Sequence, residues 1–282
     1  MQAEAAFGSL NLNGAPASVV MRTIRDGTAF MAAQPEALEG CGGLVIGIAG
    51  VSNRNAASMI ESAVRECGYS GPLRLAGDQE IALAGAVRGH GAVLISGTGS
   101  VCYGRDRNGA SFRTGGYGYL IDDEGSGYAV GRDILRAVVR AADGRGKQTC
   151  LTELVYDALK VSDVSGIITW LYAPDTGKKG VASLAPLLLI ALAQTDPAAK
   201  EIAERAAEEL CLMVTAAWEK AGMKDGELAC TGSILTRYPA IREALAQRLH
   251  ATLPELRITE AQGSPAKGAA MLARSLQSSS PS

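Results

Sequence analysis

The stretch Val93-Leu94-Ile95-Ser96-Gly97-Thr98-Gly99-Ser100 joins a run of apolar residues to a glycine-rich turn that carries hydroxyl groups. The apolar half predicts a strand that is buried on both faces. Glycines in the turn let backbone N–H groups and hydroxyls approach phosphate oxygens. The turn lacks the Gly-Lys-Ser/Thr of a Walker loop, and it leads into a second strand rather than a helix. Taken alone, such a turn is more often an ordinary tight turn than a phosphate site.

Strand and helix patterns alternate on both sides of this stretch. Apolar runs at 44–49 and 73–75 flank one helix pattern, and a second helix is predicted from 80 to 88. A hairpin follows over 101–113, and the last part of the chain returns to alternating strands and helices, including 266–276. Between this hairpin and the last part of the chain, helix patterns cover 127–142, 151–159, 163–172, 180–194 and 197–221. This order predicts an α/β fold with a mixed or parallel sheet.

Composition and charge narrow the class of protein. The 282 residues are 47% hydrophobic and carry 27 Lys+Arg against 29 Asp+Glu, a net charge of -2. The apolar content argues against disorder, and the absence of a basic excess argues against nucleic acid as a partner. The most apolar stretch, 181–193, is too short to span a bilayer. The N-terminus has no export signal, so we expect a cytoplasmic protein.

The cysteines and histidines argue against several site chemistries. Six cysteines lie without any C-x-x-C pair, which is typical of small core residues in a reducing compartment. With His90 and His250 as the two histidines, neither a zinc cluster nor a Ser-His-Asp triad is readily assembled. The remaining candidates are carboxylates, hydroxyls and glycine-lined backbone, with no metal ligands assigned.

Carboxylates occur at two informative places. Asp122, Asp123 and Glu124 directly precede the helix pattern that begins at Gly127. They fit either a cluster that caps this helix or a polar wall that holds sugar hydroxyls or hydrated Mg²⁺. Asp78 follows the strand at 73–75, where ligands of open α/β sheets bind, although a lone Asp there also fits a helix N-cap.

Two segments together resemble one family. The residues 93–100 and 115–128 (Gly-Gly-Tyr-Gly-Tyr-Leu-Ile-Asp-Asp-Glu-Gly-Ser-Gly-Tyr) resemble the N-acetylglucosamine kinases, which belong with the BadF/BadG/BcrA/BcrD ATPases in the actin–hexokinase–Hsp70 superfamily. The resemblance implies an α/β actin-like ATPase fold with two ribonuclease H-like lobes flanking a cleft. We expect a first lobe over 1–90, a second over 91–265 with a helical insertion, and a last helix, 266–276, that packs back on the first lobe.

The resemblance also implies a reaction: ATP-dependent phosphorylation of N-acetylglucosamine or a related amino sugar, with Mg²⁺ and possible assembly as a homodimer. Asp78 matches the catalytic base. The turn Gly97, Thr98, Gly99 and Ser100 matches the phosphate loop that holds the β- and γ-phosphates of ATP, and Gly232-Ser233 matches the adenosine-side turn. The expected sugar-binding residues are Asn11, Asp78, Thr98, Tyr117 and Asp123.

The sequence departs from the family pattern at three places. Tyr117 replaces a tryptophan, and Asp122 replaces a glycine, which brings a second negative charge beside Asp123. The family also opens with a hairpin carrying an Asp-Gly-Gly-Gly-Thr phosphate loop, and this sequence contains none. We therefore expect the N-terminal lobe to lack a first β-hairpin of about 25 residues, which makes turnover by this chain doubtful. Either the sequence starts late in its gene or it is a genuine short form.

Two other functions stay open beside the kinase. Other members of the wider family are ATPases that activate a dehydratase or reductase through an iron–sulfur cluster held by paired cysteines, a spacing that is absent here. A non-catalytic module that binds sugar or nucleotide is the third hypothesis.

Overall fold

The computed structural model describes residues 5, 7, 8, 10, 16–33, 41–48, 51 and 54–277. Its helices are α1 (Ala17–Ala32), α2 (Arg54–Glu66), α3 (Asp78–Ala86), α4 (Gly127–Ala142), α5 (Leu151–Leu159), α6 (Val164–Leu171), α7 (Gly177–Ala182), α8 (Leu187–Ala193), α9 (Pro197–Ala221), α10 (Ser233–Arg237), α11 (Pro239–Thr252) and α12 (Pro265–Gln277). Its strands are β1 (Leu44–Ile48), β2 (Leu73–Gly77), β3 (Gly91–Ser96), β4 (Ser100–Arg105), β5 (Ser111–Gly115), β6 (Gly226–Thr231) and β7 (Leu256–Glu260).

The chain divides into two compact units. Unit 1 comprises 1–88 together with 261–282, and unit 2 comprises 89–260. In unit 1, β1 and β2 form a parallel pair with Leu44 opposite Leu73 and Ile48 opposite Gly77. Helices α1 and α2 contribute buried residues, among them Val20 and Ile60, to its core.

Helix α12 packs directly on α3 within unit 1. A Cβ at Gly85 would overlap the Ser264 carbonyl, and one at Gly268 would overlap the Ile81 carbonyl. These glycines therefore let the two backbones touch. The amide of Gln262 also donates to the Ala86 carbonyl at 3.2 Å, so the C-terminal helix is fixed beside the helix that carries Asp78.

An apolar cavity of about 840 Å³ lies in unit 1 between α1, β1 and α12. Phe30, Met31, Val45 and Ala269 are among the side chains that line it. Within the described part of the chain, β1 pairs with β2 alone. The expected absence of a first hairpin stays a prediction from the sequence.

Unit 2 is built on a five-stranded mixed sheet in the order β5-β4-β3-β6-β7. The first three strands are antiparallel neighbours, whereas β3, β6 and β7 run parallel. Helix α9 covers this sheet with Trp218, which is fully buried and meets the Phe112 ring edge-on at 6.1 Å between centroids. Aromatic pairs in this geometry stabilise a core beyond their buried area.

Most of the predicted elements are present, but one predicted helix is split, and two helices, α1 and α10, were not predicted. The single helix predicted over 180–194 is wrong, because the chain forms α7 and α8 with a break between them. Pro186 explains the break, since proline has no backbone N–H and clashes with the preceding turn of a helix. Helix α1 lies where the sequence patterns predicted no element. None of the described helices combines the length and apolarity needed to cross a membrane.

Candidate active site

Two glycine turns leave the same edge of the sheet in unit 2. Strands β3 and β6 are parallel neighbours with Ile95 opposite Thr231, so the residues after each strand emerge side by side. Gly232 has φ +94°, and a Cβ there would overlap the Ser96 carbonyl oxygen and lie 2.9 Å from the Gly97 nitrogen. Glycine is therefore required at 232 for both conformation and space. The structure brings together the two turns singled out from the sequence, with Ser233 exposed beside Gly232.

The turn between β3 and β4 is closed by its own backbone. The Gly97 amide donates to the Gly99 carbonyl at 2.9 Å, and Thr98 is exposed between them. Ser100 differs, because its hydroxyl donates to the Glu124 carbonyl at 2.6 Å and its amide donates to Asp123 Oδ1 at 3.3 Å. Ser100 thus ties the turn to the acidic segment, while Thr98 offers the accessible hydroxyl.

Asp123 is the buried carboxylate of this site. It is 3% exposed and has φ +69°, in the left-handed region that residues other than glycine rarely adopt. Its Oδ2 lies 2.6 Å from the Lys178 ammonium, while its Oδ1 accepts the Ser100 amide. Non-glycine residues in this backbone region often cluster at functional sites, where neighbouring contacts hold them.

Asp122 and Glu124, the acidic neighbours of Asp123, bind other partners. Asp122 Oδ2 accepts the Tyr117 amide at 2.8 Å. The Glu124 carboxylate binds the Arg132 guanidinium through two hydrogen bonds of 2.9 and 2.7 Å. The extra charge at Asp122 is therefore directed to the Tyr117 backbone.

The hydrogen-bonding cap of α4 is a serine rather than one of these acids, so the interpretation of the acids as a cluster at the helix end stays a prediction. Ser126 is the N-cap of α4, and its hydroxyl oxygen accepts the Ala129 amide at 3.3 Å. A serine N-cap leaves the acids before it available for other contacts.

Electrostatic coupling extends from Glu124 into α4 and α9. The hydrogen bond to Glu124 raises the pKa of the Arg132 guanidinium. Burial, followed by repulsion from Glu124, raises the pKa of Glu209 above that of an ordinary carboxyl group. Glu124 is thus paired with Arg132 of α4, and its negative charge disfavours ionisation of Glu209 on α9.

The loop between β5 and the acidic segment presents aromatic rings. Tyr117 is 65% exposed, and the Arg113 guanidinium lies 5.0 Å from its ring centroid. Tyr119 meets the Tyr128 ring edge-on at 4.8 Å between centroids. The ring of Tyr117 is therefore accessible and backed by a cation.

Asp78 lies in unit 1, directly after β2, as the first residue of α3. It is exposed, and its carboxylate accepts the Gln79 amide at 2.9 Å. The N-cap of α3 is Gly77, so the alternative that Asp78 is the capping residue is wrong. Asn11, the remaining expected sugar contact, lies outside the described residues.

Lys178 is the site residue that the sequence did not reveal. It belongs to α7 and lies 55 positions after the aspartate it pairs with. The local sequence Gly-Lys-Lys-Gly carries no signal of such a contact, which depends on how α7 packs. Across the described residues, no three His, Cys, Asp or Glu side chains are grouped so as to hold a metal ion.

Comparison with known proteins gives one consistent family. The sequence matches the BadF/BadG/BcrA/BcrD ATPase family over residues 2–273. It is 35% identical to the N-acetylmuramic acid/N-acetylglucosamine kinase of Clostridium acetobutylicum, over 85% of this chain and 79% of that protein. It is 32% identical to the N-acetyl-D-glucosamine kinase of Dictyostelium discoideum, over 82% and 75% of the two chains.

Solved structures of related proteins have the same fold as this chain. A structure from Chromobacterium violaceum assigned as an N-acetylglucosamine kinase superposes with a TM-score of 0.70 at 26% identity, covering 94% of this chain and 87% of that one. One from Porphyromonas gingivalis with the same assignment gives 0.64 at 19% identity, covering 93% and 83%. The predicted fold class, an α/β actin-like ATPase fold of the sugar-kinase type, is confirmed.

Proposed function

Because this chain belongs to the BadF/BadG/BcrA/BcrD ATPase family, we propose that it transfers the γ-phosphoryl group of ATP to a hydroxyl of N-acetylglucosamine or a related amino sugar. The two curated relatives described above are kinases of such sugars and align over most of both chains. The enzyme is accordingly a sugar kinase, a phosphotransferase with an alcohol as acceptor.

One observation carries this proposal: two glycine turns and a buried carboxylate meet at a single sheet edge in unit 2. Gly232 touches the Ser96–Gly97 peptide, and Ser100 joins the first turn to Asp123. Phosphoryl transfer needs placement and charge neutralisation more than covalent help from the protein. Backbone N–H groups beside accessible hydroxyls can bind and place phosphates. A carboxylate oxygen can accept hydrogen bonds from sugar hydroxyls and so place the sugar.

We assign the nucleotide contacts from the resemblance to the family, and this arrangement supports them. Gly97, Thr98 and Gly99 would hold the β- and γ-phosphates of ATP through the turn that Ser100 anchors. Gly232 and Ser233 would lie on the adenosine side. The support is steric, because Gly97 has no side chain and the space beside it is open, so its backbone is accessible to a phosphate.

The sugar contacts use the exposed and buried groups around the same turn. Thr98 offers a hydroxyl, Tyr117 an accessible ring, and Asp123 carboxylate oxygens for sugar hydroxyls. Asn11 keeps its role as an amino-sugar contact by resemblance. Stacking of a sugar on an aromatic face suits Tyr117, since its ring is 65% exposed.

Asp78 is the proposed base. As the sugar oxygen bonds to the γ-phosphorus, the bond from that phosphorus to the bridging oxygen of ADP breaks, and Asp78 accepts the hydroxyl proton. Its exposed carboxylate at the end of β2 is accessible for that purpose. A general base of this kind contributes about 10²–10⁴-fold to the rate.

Mg²⁺ would accompany the phosphates of ATP rather than occupy a protein cage. The described acidic segment fits such a cage poorly, because Asp123 is paired with Lys178 and Glu124 with Arg132. Asp122 accepts a backbone amide. None of the roles assigned here depends on a metal ligand from these residues.

The cytoplasm is the proposed compartment, since ATP is supplied there and all six cysteines are free thiols. A homodimer stays a prediction from the family resemblance.

Release of ADP in the presence of a sugar panel tests the function. The panel comprises N-acetylglucosamine, N-acetylmuramic acid, glucosamine and glucose, with a sugar-free control. We expect ADP release that depends on an N-acetylated amino sugar. ADP release without sugar would instead indicate an activator-type ATPase, and binding of sugar or nucleotide without any ADP release would indicate a binding module.

A further inference from the structure

A buried carboxylate and a lysine from a distant helix form one unit beside the phosphate turn. The Asp123 side chain is 4% exposed, and its Oδ2 lies 2.6 Å from the Lys178 ammonium. A buried carboxylate is costly unless a cation or hydrogen bonds compensate its charge. The ion pair on Oδ2 and the Ser100 amide on Oδ1 together fix the orientation of the Asp123 carboxylate.

The lysine is itself firmly placed. Helix α7 packs against α4 so closely that a Cβ at Gly131 would overlap the Val181 carbonyl. The hydroxyl of Thr176, just before α7, donates to the Trp170 carbonyl at 2.5 Å. The Lys178 ammonium also lies 5.8 Å from the Tyr119 ring centroid. The helix that carries this cation is thus held by packing against α4 rather than by the phosphate turn.

The ion pair lies against the turn itself. A Cβ at Gly99 would come within 2.8 Å of the Lys178 ammonium and 2.9 Å of Asp123 Oδ2. A carboxylate has about four acceptor positions, and the described contacts are the Lys178 ammonium and the Ser100 amide. Acceptor positions of this carboxylate therefore remain for a hydroxyl of a sugar bound beside the turn.

We propose that Lys178 is a positioning residue for sugar binding: it holds the Asp123 carboxylate in the orientation that accepts the amino-sugar hydroxyls. This inference rests on the proposed function, which assigns Asp123 to the sugar. Without the ammonium, the buried carboxylate rotates towards another partner, and this change removes acceptor positions from the sugar.

Nucleotide binding should respond much less to loss of the lysine. Ser100 keeps its place in the ladder with Ser96 and its hydroxyl bond to the Glu124 carbonyl. The phosphate turn therefore retains its shape when Asp123 moves. A split between sugar and nucleotide affinity is the signature of positioning, because general destabilisation would weaken both.

The test is calorimetric titration of the full chain with N-acetylglucosamine and, separately, with ADP. The first variant is Lys178→Met, which removes the positive charge and the hydrogen-bond donor but keeps a side chain of similar length. The second is Lys178→Arg, which restores a cation. Lys179→Met is the matched control, because Lys179 is the adjacent, exposed lysine on the same helix. All titrations are made well below the unfolding midpoint of the least stable variant.

We expect Lys178→Met to weaken sugar binding about tenfold or more, which is about 1.4 kcal/mol or more, with ADP binding within about threefold of wild type. Lys178→Arg should recover part of the sugar affinity, and Lys179→Met should match wild type. Unchanged sugar binding in Lys178→Met would overturn the inference, as would an equal loss of ADP binding or no recovery with arginine. A wild-type chain that binds no amino sugar would instead overturn the proposed function, before any variant is compared.

Discussion

Gly232 lies so close to Ser96 that any side chain at 232 would overlap the Ser96 carbonyl oxygen. This contact joins the ends of two parallel strands, β3 and β6, and places both glycine turns at one edge of the sheet. The site in unit 2 depends on it, since the phosphate turn begins at the next residue, Gly97.

Gly232→Ala is therefore expected to damage both stability and nucleotide binding. Gly109→Ala is the matched control, because Gly109 also has a positive φ but faces open space at the far end of β4. Each variant bears the strain of alanine at positive φ, about 1–3 kcal/mol, and overpacking adds about 1–3 kcal/mol at 232 alone. Chemical denaturation and ADP titration measure the two effects. Equal losses in the two variants would show that the Ser96 contact does not matter.

Asp78→Asn tests the proposed base. The amide cannot accept the hydroxyl proton, so kcat should fall by about 10²-fold or more, while sugar affinity stays near that of wild type. Glu80→Gln, on the same helix, removes an ion pair with Arg74 and should leave kcat nearly unchanged. Steady-state kinetics with the best sugar of the panel provide the measurement. A variant that kept more than about a tenth of wild-type kcat would contradict the role.

The substitution of aspartate for the family glycine at 122 has a specific structural consequence. The Asp122 carboxylate accepts the Tyr117 amide and so orders the residue whose ring is proposed to face the sugar. Asp122→Gly should raise KM for the sugar about 3–10-fold, the value of one lost hydrogen bond. Asp122→Asn keeps an acceptor oxygen and should stay close to wild type. A lower KM in Asp122→Gly would show that the carboxylate hinders the sugar.

Asp196 links the starts of α5 and α9 and makes unit 2 sensitive to acid. It is 6% exposed, accepts the Ala199 and Cys150 amides at 3.0 and 2.9 Å, and accepts the Thr149 hydroxyl at 2.9 Å. Burial alone would raise its pKa, but these hydrogen bonds outweigh burial and lower the pKa. The stabilisation is thus present above the unfolded pKa of about 3.9 and is lost as the pH falls through the lower folded value.

Asp196→Ala should cost about 2–3 kcal/mol of unfolding free energy at pH 7, because a cap is removed and buried donors lose their acceptor. The difference from wild type should shrink below about pH 4. Asp163→Ala, which removes an exposed cap with a single bond to the Gly166 amide, should cost about 1 kcal/mol. Urea unfolding at several pH values gives the comparison. A constant difference between wild type and Asp196→Ala down to pH 3 would refute the linkage.

The sequence predicts the parts of the site that lie within short segments, but not the contacts between residues that are far apart in the chain. Glycines and hydroxyls at 97–100 and the carboxylates at 122–124 are encoded in short segments, so the turn and the acidic loop were predictable. Lys178 was not, because its contact with Asp123 depends on how α7 packs against α4. The pairing of Glu124 with Arg132 was missed for a similar reason, since it follows from the direction in which α4 leaves Ser126. Roles for Asp78, Thr98 and Tyr117 stay predictions.

The decisive measurement is the transfer of label from γ-labelled ATP to N-acetylglucosamine, detected as a phosphorylated sugar by mass spectrometry. We predict a product heavier than the sugar by one phosphoryl group, formed together with an equal amount of ADP and formed about 10²-fold more slowly by Asp78→Asn. Label released only as inorganic phosphate, at a rate that the sugar does not change, would contradict this prediction.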